Sequence, residues 1–196
     1  MELIERINEH FIESIAAKQA AMDVLPGVMA QAAERMVGCL MNEGKILACG
    51  NGGSAADAQH FAAEMVGRFE KERPGLAALS LATDSSALTA IGNDYDFERV
   101  FSKQVRALGH DGDLLLAIST SGNSLNVIEA IHAAHERQMD IIALTGRDGG
   151  QIADLMTADD ILINVPVNRT ARIQEVHITI IHALCDAVDY MLLGGD

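Results

Sequence analysis

Five short apolar segments, separated by stretches with helical spacing, constrain the fold of this chain more than any other feature of its sequence. Each is five or six residues long and bounded by Gly, Asp, Ser or Pro; they span residues 45–49, 76–81, 113–118, 140–144 and 160–165. Their apolar residues follow one another without alternation, which indicates strands that are buried on both faces. We therefore predict an α/β fold in which three layers, α-β-α, enclose a five-stranded parallel sheet of the flavodoxin-like type.

Additional helices are expected at both ends of the sequence. Residues 2–22 and 26–43 have apolar side chains at intervals of three and four, and Pro26-Gly27 separates the two stretches. Residues 170–193 are apolar on nearly all sides, which is typical of a helix buried in a core or a subunit interface. We expect residues 1–43 to pack in a homo-oligomer and residues 44–196 to form the ligand-binding domain. A monomer with a well-buried last helix is the alternative.

The charge and cysteine content narrow the class of protein. With 28 acidic and 14 basic residues the net charge is -14, which disfavours nucleic acid as a partner. Cys39, Cys49 and Cys185 have no paired spacing, so a disulfide framework is not expected. The first residues lack the apolar core of a signal peptide, and no run of 18 apolar residues is free of His and Asp. We predict a cytoplasmic protein without a membrane partner.

The loop after the first predicted strand has the composition of an anion-binding turn. Ligands of open α/β sheets lie beyond the carboxyl ends of the strands, where the strand order reverses. There Gly50-Asn51-Gly52-Gly53-Ser54 leads directly into a helix, whose N-terminus favours an anion. A dinucleotide fingerprint is matched only in part, because the candidate ribose-binding acid, Asp84, lies more than thirty residues on rather than about twenty. A tight turn without a ligand is the other interpretation.

The loop after the third predicted strand is rich in hydroxyl groups. Ser119-Thr120-Ser121-Gly122-Asn123-Ser124 precedes a helix over residues 125–138, and hydroxyls at a helix N-terminus suit a phosphate monoester. The loop lacks the G-K-[ST] ending that a nucleoside triphosphate with magnesium requires. Ser124 taken alone is interpreted as a helix cap. Capping does not explain the other three hydroxyls, so the loop predicts a phosphate site.

Two helices present side chains with the spacing of metal ligands. Asp57, His60, Glu64 and Arg68 follow the first loop at intervals of three and four, and Gln174 and His182 share one side of the last helix. Such a row on the first helix is usually a solvated face, and a histidine in an apolar helix, His177 included, is ordinarily a hydrogen-bonded core residue. Two histidines, a carboxylate and an amide can instead bind a metal, and N and O donors suit zinc.

Several segments together resemble one known family. They are ACGNGGSAADAQHFAAEM, TAIGNDYDFERVFSKQV, LLAISTSGNSLNVIEAI, ALTGRDGG and TARIQEVHITIIH. The sequence is similar to the bacterial phosphoheptose isomerases of the SIS-domain class from residue 44 to about residue 192. The resemblance implies conversion of sedoheptulose 7-phosphate to D-glycero-D-manno-heptose 7-phosphate through an enediol, an early step toward the heptose of the lipopolysaccharide core.

The resemblance also implies roles for individual residues. Substrate contacts would be Asn51, Gly52, Gly53, Ser54, Glu64, Asn93, Asp94, Ser119, Thr120, Ser121, Ser124 and Gln174. One Zn²⁺ per subunit would be bound by His60, Glu64, Gln174 and His182. Glu64 and His182 would be the acid/base pair, drawn from different subunits of a homotetramer. Ala171 stands where some members have Asp, which removes one possible contact to a sugar hydroxyl.

Two other functions are compatible with the same fold. A non-catalytic SIS protein that binds the bacterial replication initiator would keep the phosphate loops, but such relatives lack the carboxylate found here as Glu64. A sugar-phosphate sensor, or an isomerase of another sugar phosphate, would share the fold as well. Glu64 therefore favours the isomerase over the binding protein.

Overall fold

The computed structural model describes residues 2–194. Residue 1 of the predicted N-terminal region (1–43) and residues 195 and 196 of the predicted ligand-binding domain (44–196) lie outside the described residues. Helices and strands follow one another in the order α1 Leu3–Met22, α2 Pro26–Met41, β1 Ile46–Gly50, α3 Gly53–Val66, β2 Ala78–Ser80, α4 Ser85–Asp94, α5 Ser102–Leu108, β3 Leu114–Ile118, α6 Leu125–Glu136, β4 Asp140–Gly146, α7 Gly150–Leu155, β5 Ile161–Val165 and α8 Thr170–Leu193. A short 3₁₀ turn, Phe97–Arg99, separates α4 from α5. Each predicted strand is present within about two residues of its predicted ends.

The sheet is parallel throughout, with the strand order β2-β1-β3-β4-β5. This confirms the predicted five-stranded flavodoxin-like sheet. The register pairs Ile46 with Leu114 and Gly50 with Ile118, so β1 and β3 end side by side. Strand order reverses at these two strands, and the loops that follow them lie in the crevice where open α/β sheets bind ligands.

Helices cover both faces of the sheet. In β1, Ile46 and Ala48 pack into a core with α2, α3 and α8, while Leu47 and Cys49 pack into a second core with α5 and α6. None of these four side chains is exposed. Burial on both faces explains why the strand has no alternation of polar and apolar residues.

Helix α8 is a core helix. Of the helices in the part of the chain that the structure describes, it is the one long and apolar enough to cross a membrane by length and composition. Its apolar residues instead pack on the sheet and on α2 and α3, and Ile173, Ile181 and Cys185 are fully buried. This burial accounts for the apolar residues on the side of α8 that faces the core, while Tyr190, Met191 and Leu193 remain exposed.

Helix α1 has an apolar surface that the rest of the chain leaves exposed. Ile4, Phe11 and Ile15 are each about two-thirds exposed, and Ile7 about half. With spacings of three and four these side chains lie along one side of the helix. A contiguous apolar patch of this kind commonly marks a protein interface.

His177 on α8 is a buried histidine, and it makes stability dependent on pH. Its Nε2–H donates to the carbonyl of Thr145 at 2.9 Å, and its Nδ1 has no hydrogen-bond partner among the described residues. Desolvation by burial lowers the pKa of His177 from 6.5 to about 4, although the Thr145 hydrogen bond acts in the opposite direction. His177 is therefore neutral in the folded protein at neutral pH.

We expect acid to destabilise the fold through His177. Its contribution is complete above pH 6.5 and is lost as the pH falls toward 4, because the unfolded chain then binds the proton that the folded protein excludes. The loss amounts to about 3 kcal/mol at 1.36 kcal/mol per pKa unit. In denaturant unfolding at fixed protein concentration, the free energy of unfolding of His177→Gln should fall less between pH 6.5 and pH 4 than that of the wild type. His132→Gln, at an exposed position, is the control. The same pH dependence of stability in the two variants would contradict the assignment.

Candidate active site

The two predicted phosphate loops lie next to each other at the carboxyl edge of the sheet. Residues 51 and 52 connect β1 to α3, and residues 119–124 connect β3 to α6. Each loop ends at the N-terminus of a helix, where backbone N–H groups lack intrahelical partners and the helix dipole favours an anion. The two helices begin on opposite faces of the sheet, so a ligand in the crevice meets both N-termini.

The loop over residues 119–124 has an internal hydroxyl pair. Ser119 is buried, and its Oγ lies 2.9 Å from the Oγ of Ser124. Ser124 is at the N-cap position of α6, but its side chain makes no capping hydrogen bond. The interpretation of Ser124 as a helix cap was therefore wrong, because its hydroxyl is directed to Ser119 on the inside of the loop. Thr120 and Ser121 are partly exposed at the rim.

The segment around α7 fixes the shape of this loop. The carbonyl of Gly122 accepts the N–H of Ile152 at 3.0 Å, and the Oδ1 of Asn123 accepts the N–H of Gln151 at 3.1 Å. Asn123 also donates through Nδ2 to the carbonyl of Ser121 at 2.8 Å. The loop is therefore held in one conformation by contacts outside itself, which suits a preformed ligand site.

The first loop is joined to α6 by a reciprocal amide pair. Asn51 donates to Asn126 at 2.7 Å, and Asn126 donates back at 2.8 Å. Asn126 is buried, and sequence reasoning missed it. The sequence feature that could have revealed it is a polar residue next to the apolar Val127 and Ile128 in the first turn of α6. A polar side chain buried there requires a hydrogen-bond partner.

Asp84, the candidate ribose-binding acid of a dinucleotide site, is instead a helix cap. Its carboxylate accepts the N–H of Ala87 at 2.9 Å and caps α4. A carboxylate used as an N-cap satisfies the helix end. The partial fingerprint at Gly50 and Gly52 thus has no ribose-binding acid at this position.

Three of the four predicted metal ligands lie together where α3 and α8 pack side by side. The Nε2 atoms of His60 and His182 are 2.9 Å apart, and the Oε1 of Glu64 is 3.4 Å from the Nε2 of His60. The ring of Phe69 packs on that of His182 with the centroids 5.7 Å apart. At this separation one ring supplies an N–H and the other accepts it. The group is formed within a single chain, whereas the resemblance implied that Glu64 and His182 come from different subunits.

The fourth predicted ligand, Gln174, is at the other end of the α3–α8 contact. A Cβ atom added to Gly53 would meet the amide nitrogen of Gln174 at 2.5 Å, so the amide lies against the start of α3. Gly53 precedes His60 by two helical turns. The structure therefore places Gln174 beside the first loop rather than beside the two histidines.

Three other predicted residues form their contacts outside this group. Asn93 and Asp94 are exposed at the end of α4 and hydrogen-bond to each other at 2.9 Å. Arg68 lies beyond the end of α3 at Val66 and pairs with Glu72 at 3.6 Å, so the predicted row on α3 is shorter than expected. Gly67 follows Val66 and ends the helix there.

Asp57 adds an unusual carboxyl group one turn before His60. Its Oδ2 is buried and has no hydrogen-bond partner among the described residues. Burial raises the pKa of Asp57 from 3.8 to about 6, and nearby His60 opposes the increase. Carboxyl groups with raised pKa values are concentrated at functional sites, which agrees with the position of Asp57 between the first loop and the histidines.

The histidine group has the donor atoms that suit zinc, but these atoms do not already surround a metal position. Two imidazole nitrogens bound to one zinc lie about 3.3 Å apart for bonds of roughly 2.0–2.1 Å, so the observed 2.9 Å requires only small ring rotations. Within residues 2–194, no group of three or more His, Cys, Asp or Glu side chains is arranged as a metal site. The fourth predicted donor, the half-buried Gln174, has its amide against Gly53 instead.

Comparisons with known proteins agree with this geometry. A family model described as the SIS domain matches residues 10–146. A phosphoheptose isomerase of Laribacter hongkongensis (strain HLHK9) is 92% identical over 196 residues, all of both chains, and one of Neisseria meningitidis serogroup C (strain 053442) is 69% identical over 98% of each. The solved phosphoheptose isomerase of Neisseria gonorrhoeae has a TM-score of 0.92 at 66% identity and covers 96% of this chain and 99% of its own. The chain therefore belongs to the phosphoheptose isomerase family of SIS-domain proteins and is an isomerase.

Proposed function

We propose that this chain converts sedoheptulose 7-phosphate to D-glycero-D-manno-heptose 7-phosphate. The supporting observation is the full-length identity of 92% to a phosphoheptose isomerase, in a chain that retains Glu64 beside His60 and His182. A SIS protein that only binds the replication initiator has no need for a carboxylate at position 64. The reaction supplies the heptose of the lipopolysaccharide core, and we propose that it takes place in the cytoplasm.

The substrate phosphate binds in the hydroxyl loop at the N-terminus of α6. Ser119, Thr120, Ser121 and Ser124 provide hydroxyls there, and the first N–H groups of the helix add donors to the anion. The sugar extends from this loop past residues 51–54 toward Gln174. Because Asn51 is held by Asn126, the first loop is fixed before the substrate arrives.

The isomerisation moves a proton between C1 and C2 of the sugar. Glu64 takes the carbon-bound proton to form the enediol and returns it to the neighbouring carbon. His182 transfers protons between the two oxygens, since an imidazole both donates and accepts near neutral pH. The Nε2 of His60 lies 2.9 Å from that of His182, so the two rings point toward the same space. Asn93 and Asp94 are exposed at the end of α4, where their side chains are free to contact the sugar hydroxyls.

Residues His60, Glu64, Gln174 and His182 would hold one Zn²⁺ per subunit, with the Gln174 amide rotated away from Gly53. The metal would supply a Lewis acid that polarises the sugar carbonyl. A carboxylate that also binds the metal is a weaker base, so Glu64 would need to hold the metal loosely to act as the base.

Metal removal tests the zinc assignment. We expect protein purified without added metal to contain about one zinc ion per chain, and dialysis against a chelator to abolish most of the turnover until Zn²⁺ is restored. His60→Ala should lower the zinc content by elemental analysis, while His132→Ala on the exposed side of α6 should keep it. Full turnover in the absence of every divalent ion would contradict the assignment.

The assembly we propose is a homotetramer with its active sites at subunit interfaces. The exposed row Ile4, Ile7, Phe11 and Ile15 on α1 provides an apolar surface for a second copy of the chain.

A panel of ketose phosphates tests the function. We expect NMR to show aldose formation from sedoheptulose 7-phosphate, and slower or no reaction with five- and six-carbon ketose phosphates. Preference for a pentose phosphate would instead identify an isomerase of another sugar phosphate. Absence of turnover on every substrate, together with binding of purified replication initiator, would favour the non-catalytic alternative.

A further inference from the structure

We propose that the buried ion pair between Arg73 and Asp189 is a positioning device for the active site. It holds the end of α3 that bears Glu64 against the helix that bears His182. Neither residue touches the candidate reacting groups, so both would act through the placement of others. The inference rests on the proposed roles of Glu64 and His182.

The Arg73 side chain contacts both helices at once. Its Nε donates to the Oδ1 of Asp189 on α8 at 2.5 Å. Its Nη2 donates to the backbone carbonyl of Glu64 at 3.0 Å, and its Nη1 to that of Met65 at 2.9 Å. The two charged side chains are 2% and 4% exposed, so solvent does not screen the contact.

The hydrogen bonds of Arg73 fix the orientation of α3 relative to α8 as well as the distance between the two helices. The last carbonyls of a helix lack intrahelical partners, and here a guanidinium from the segment after α3 occupies two of them. Guanidinium is planar and its donors point in set directions, so Nε binds Asp189 on α8 while the two terminal nitrogens bind carbonyls at the end of α3. One of the acceptors is the backbone of Glu64 itself. The orientation of the proposed base is thereby tied to α8.

On α8 the pair lies on the same side as the active-site histidine. Asp189 follows His182 by seven residues, which is close to two helical turns. Between them, Cys185 has its pKa raised to about 12, mainly by burial and further by the charges of Glu64 and Asp189, while Arg73 opposes them. The charges of the ion pair and of Glu64 therefore all act on this buried thiol.

Stability alone does not account for this ion pair. Burying two charges costs desolvation energy that their attraction often only offsets, and apolar replacements are frequently as stable. Asp189 bears an additional cost, because its Oδ2 is buried without a hydrogen-bond partner among residues 2–194. What the pair adds over an apolar contact is one defined alignment of α3 with α8, and a displacement of about 1 Å between reacting groups can cost about 100-fold in rate.

The decisive variants are Asp189→Asn and the apolar double variant Arg73→Met/Asp189→Leu. We expect both to lower kcat about 10- to 100-fold, with KM changed less than about threefold, because alignment affects the transition state more than binding. The double variant should unfold at a denaturant concentration close to that of the wild type, which separates alignment from stability.

Asp113→Asn is the matched control. Asp113 is as buried as Asp189 and pairs with Lys45 at the same distance of 2.5 Å, but at the opposite end of the strands. We expect this variant to lose stability while its kcat remains within about twofold of the wild type. Wild-type kcat in both Asp189 variants, or an equal loss of kcat in Asp113→Asn, would overturn the proposal.

A second measurement does not depend on turnover. In protein labelled at histidine, the NMR signals of the His60 and His182 rings should shift in Asp189→Asn and stay in place in Asp113→Asn. If the wild-type protein isomerises no heptose phosphate, the proposed function fails, and the ring signals alone still decide whether the ion pair sets the position of His182. Unchanged ring signals in Asp189→Asn would overturn the positioning role.

Discussion

Glu64→Gln is expected to lower kcat by a factor of about 100 to 10,000, the range typical of removing a general base. An amide cannot accept the proton that Glu64 takes from carbon, although it has almost the same shape. Its oxygen can still accept a hydrogen bond from His60, whose Nε2 lies 3.4 Å from the carboxylate. The fold and the phosphate loop should therefore be preserved while the chemical step is lost.

The measurement is a steady-state assay with sedoheptulose 7-phosphate, accompanied by an unfolding curve. A loss made only in the transition state lowers kcat and kcat/KM together, whereas a binding defect raises KM. Glu72→Gln is the control, because Glu72 is exposed and its pairing with Arg68 lies outside the site. Near-wild-type turnover of folded Glu64→Gln would contradict the assignment of Glu64 as the base.

The sheet was predictable because its strands have a strong local signal. In β1 and β3 every residue is buried, so a sheet covered on both faces had to appear as uninterrupted apolar runs. The positions of both phosphate loops follow from the same sheet, since parallel strands place their carboxyl ends at one edge. Fold and phosphate site were thus specified by patterns within about thirty residues, the length of one βαβ unit.

The contacts that fix the site were not predictable in the same way. Asn51 and Asn126 are 75 residues apart, and Arg73 and Asp189 are 116 apart. Periodicity describes one element at a time and does not specify which polar side chains meet across two elements. The hydroxyl of Ser124 illustrates the limit, because a local rule favours capping and the fold directs it to Ser119 instead.

The positions of the predicted metal ligands could be predicted only in part. Helical spacing correctly placed His60 and Glu64 on one side of α3, and packing against α8 brings His182 to them. The amide of Gln174 lies against Gly53, which helical spacing alone does not reveal. Long side chains choose among several rotamers, and a ligand or a metal can change that choice.

Gly122→Ala is expected to disrupt the phosphate loop more than any other small substitution in it. Gly122 has φ 65°, and a Cβ atom there would lie 1.8 Å from the carbonyl oxygen of Gly149. The left-handed conformation alone costs a non-glycine residue about 1–2 kcal/mol. The clash is with backbone that also supports α7, so the loop itself must move away from Ile152. We expect the total loss of stability to be about 3 kcal/mol or more.

The loss should appear in binding as well as in stability, because the displaced residues include the hydroxyls proposed to hold the phosphate. KM for sedoheptulose 7-phosphate should rise at least about tenfold, equivalent to 1.4 kcal/mol of binding energy. Gly38→Ala is the matched control, since Gly38 lies within α2 with no atom within 4 Å of an added Cβ. That change should be neutral or stabilising by up to about 1 kcal/mol, as alanine favours helix. If both variants had the same KM and the same unfolding midpoint, the loop would not need the Gly122 conformation, and a rigid, preformed phosphate site could not be the basis of binding.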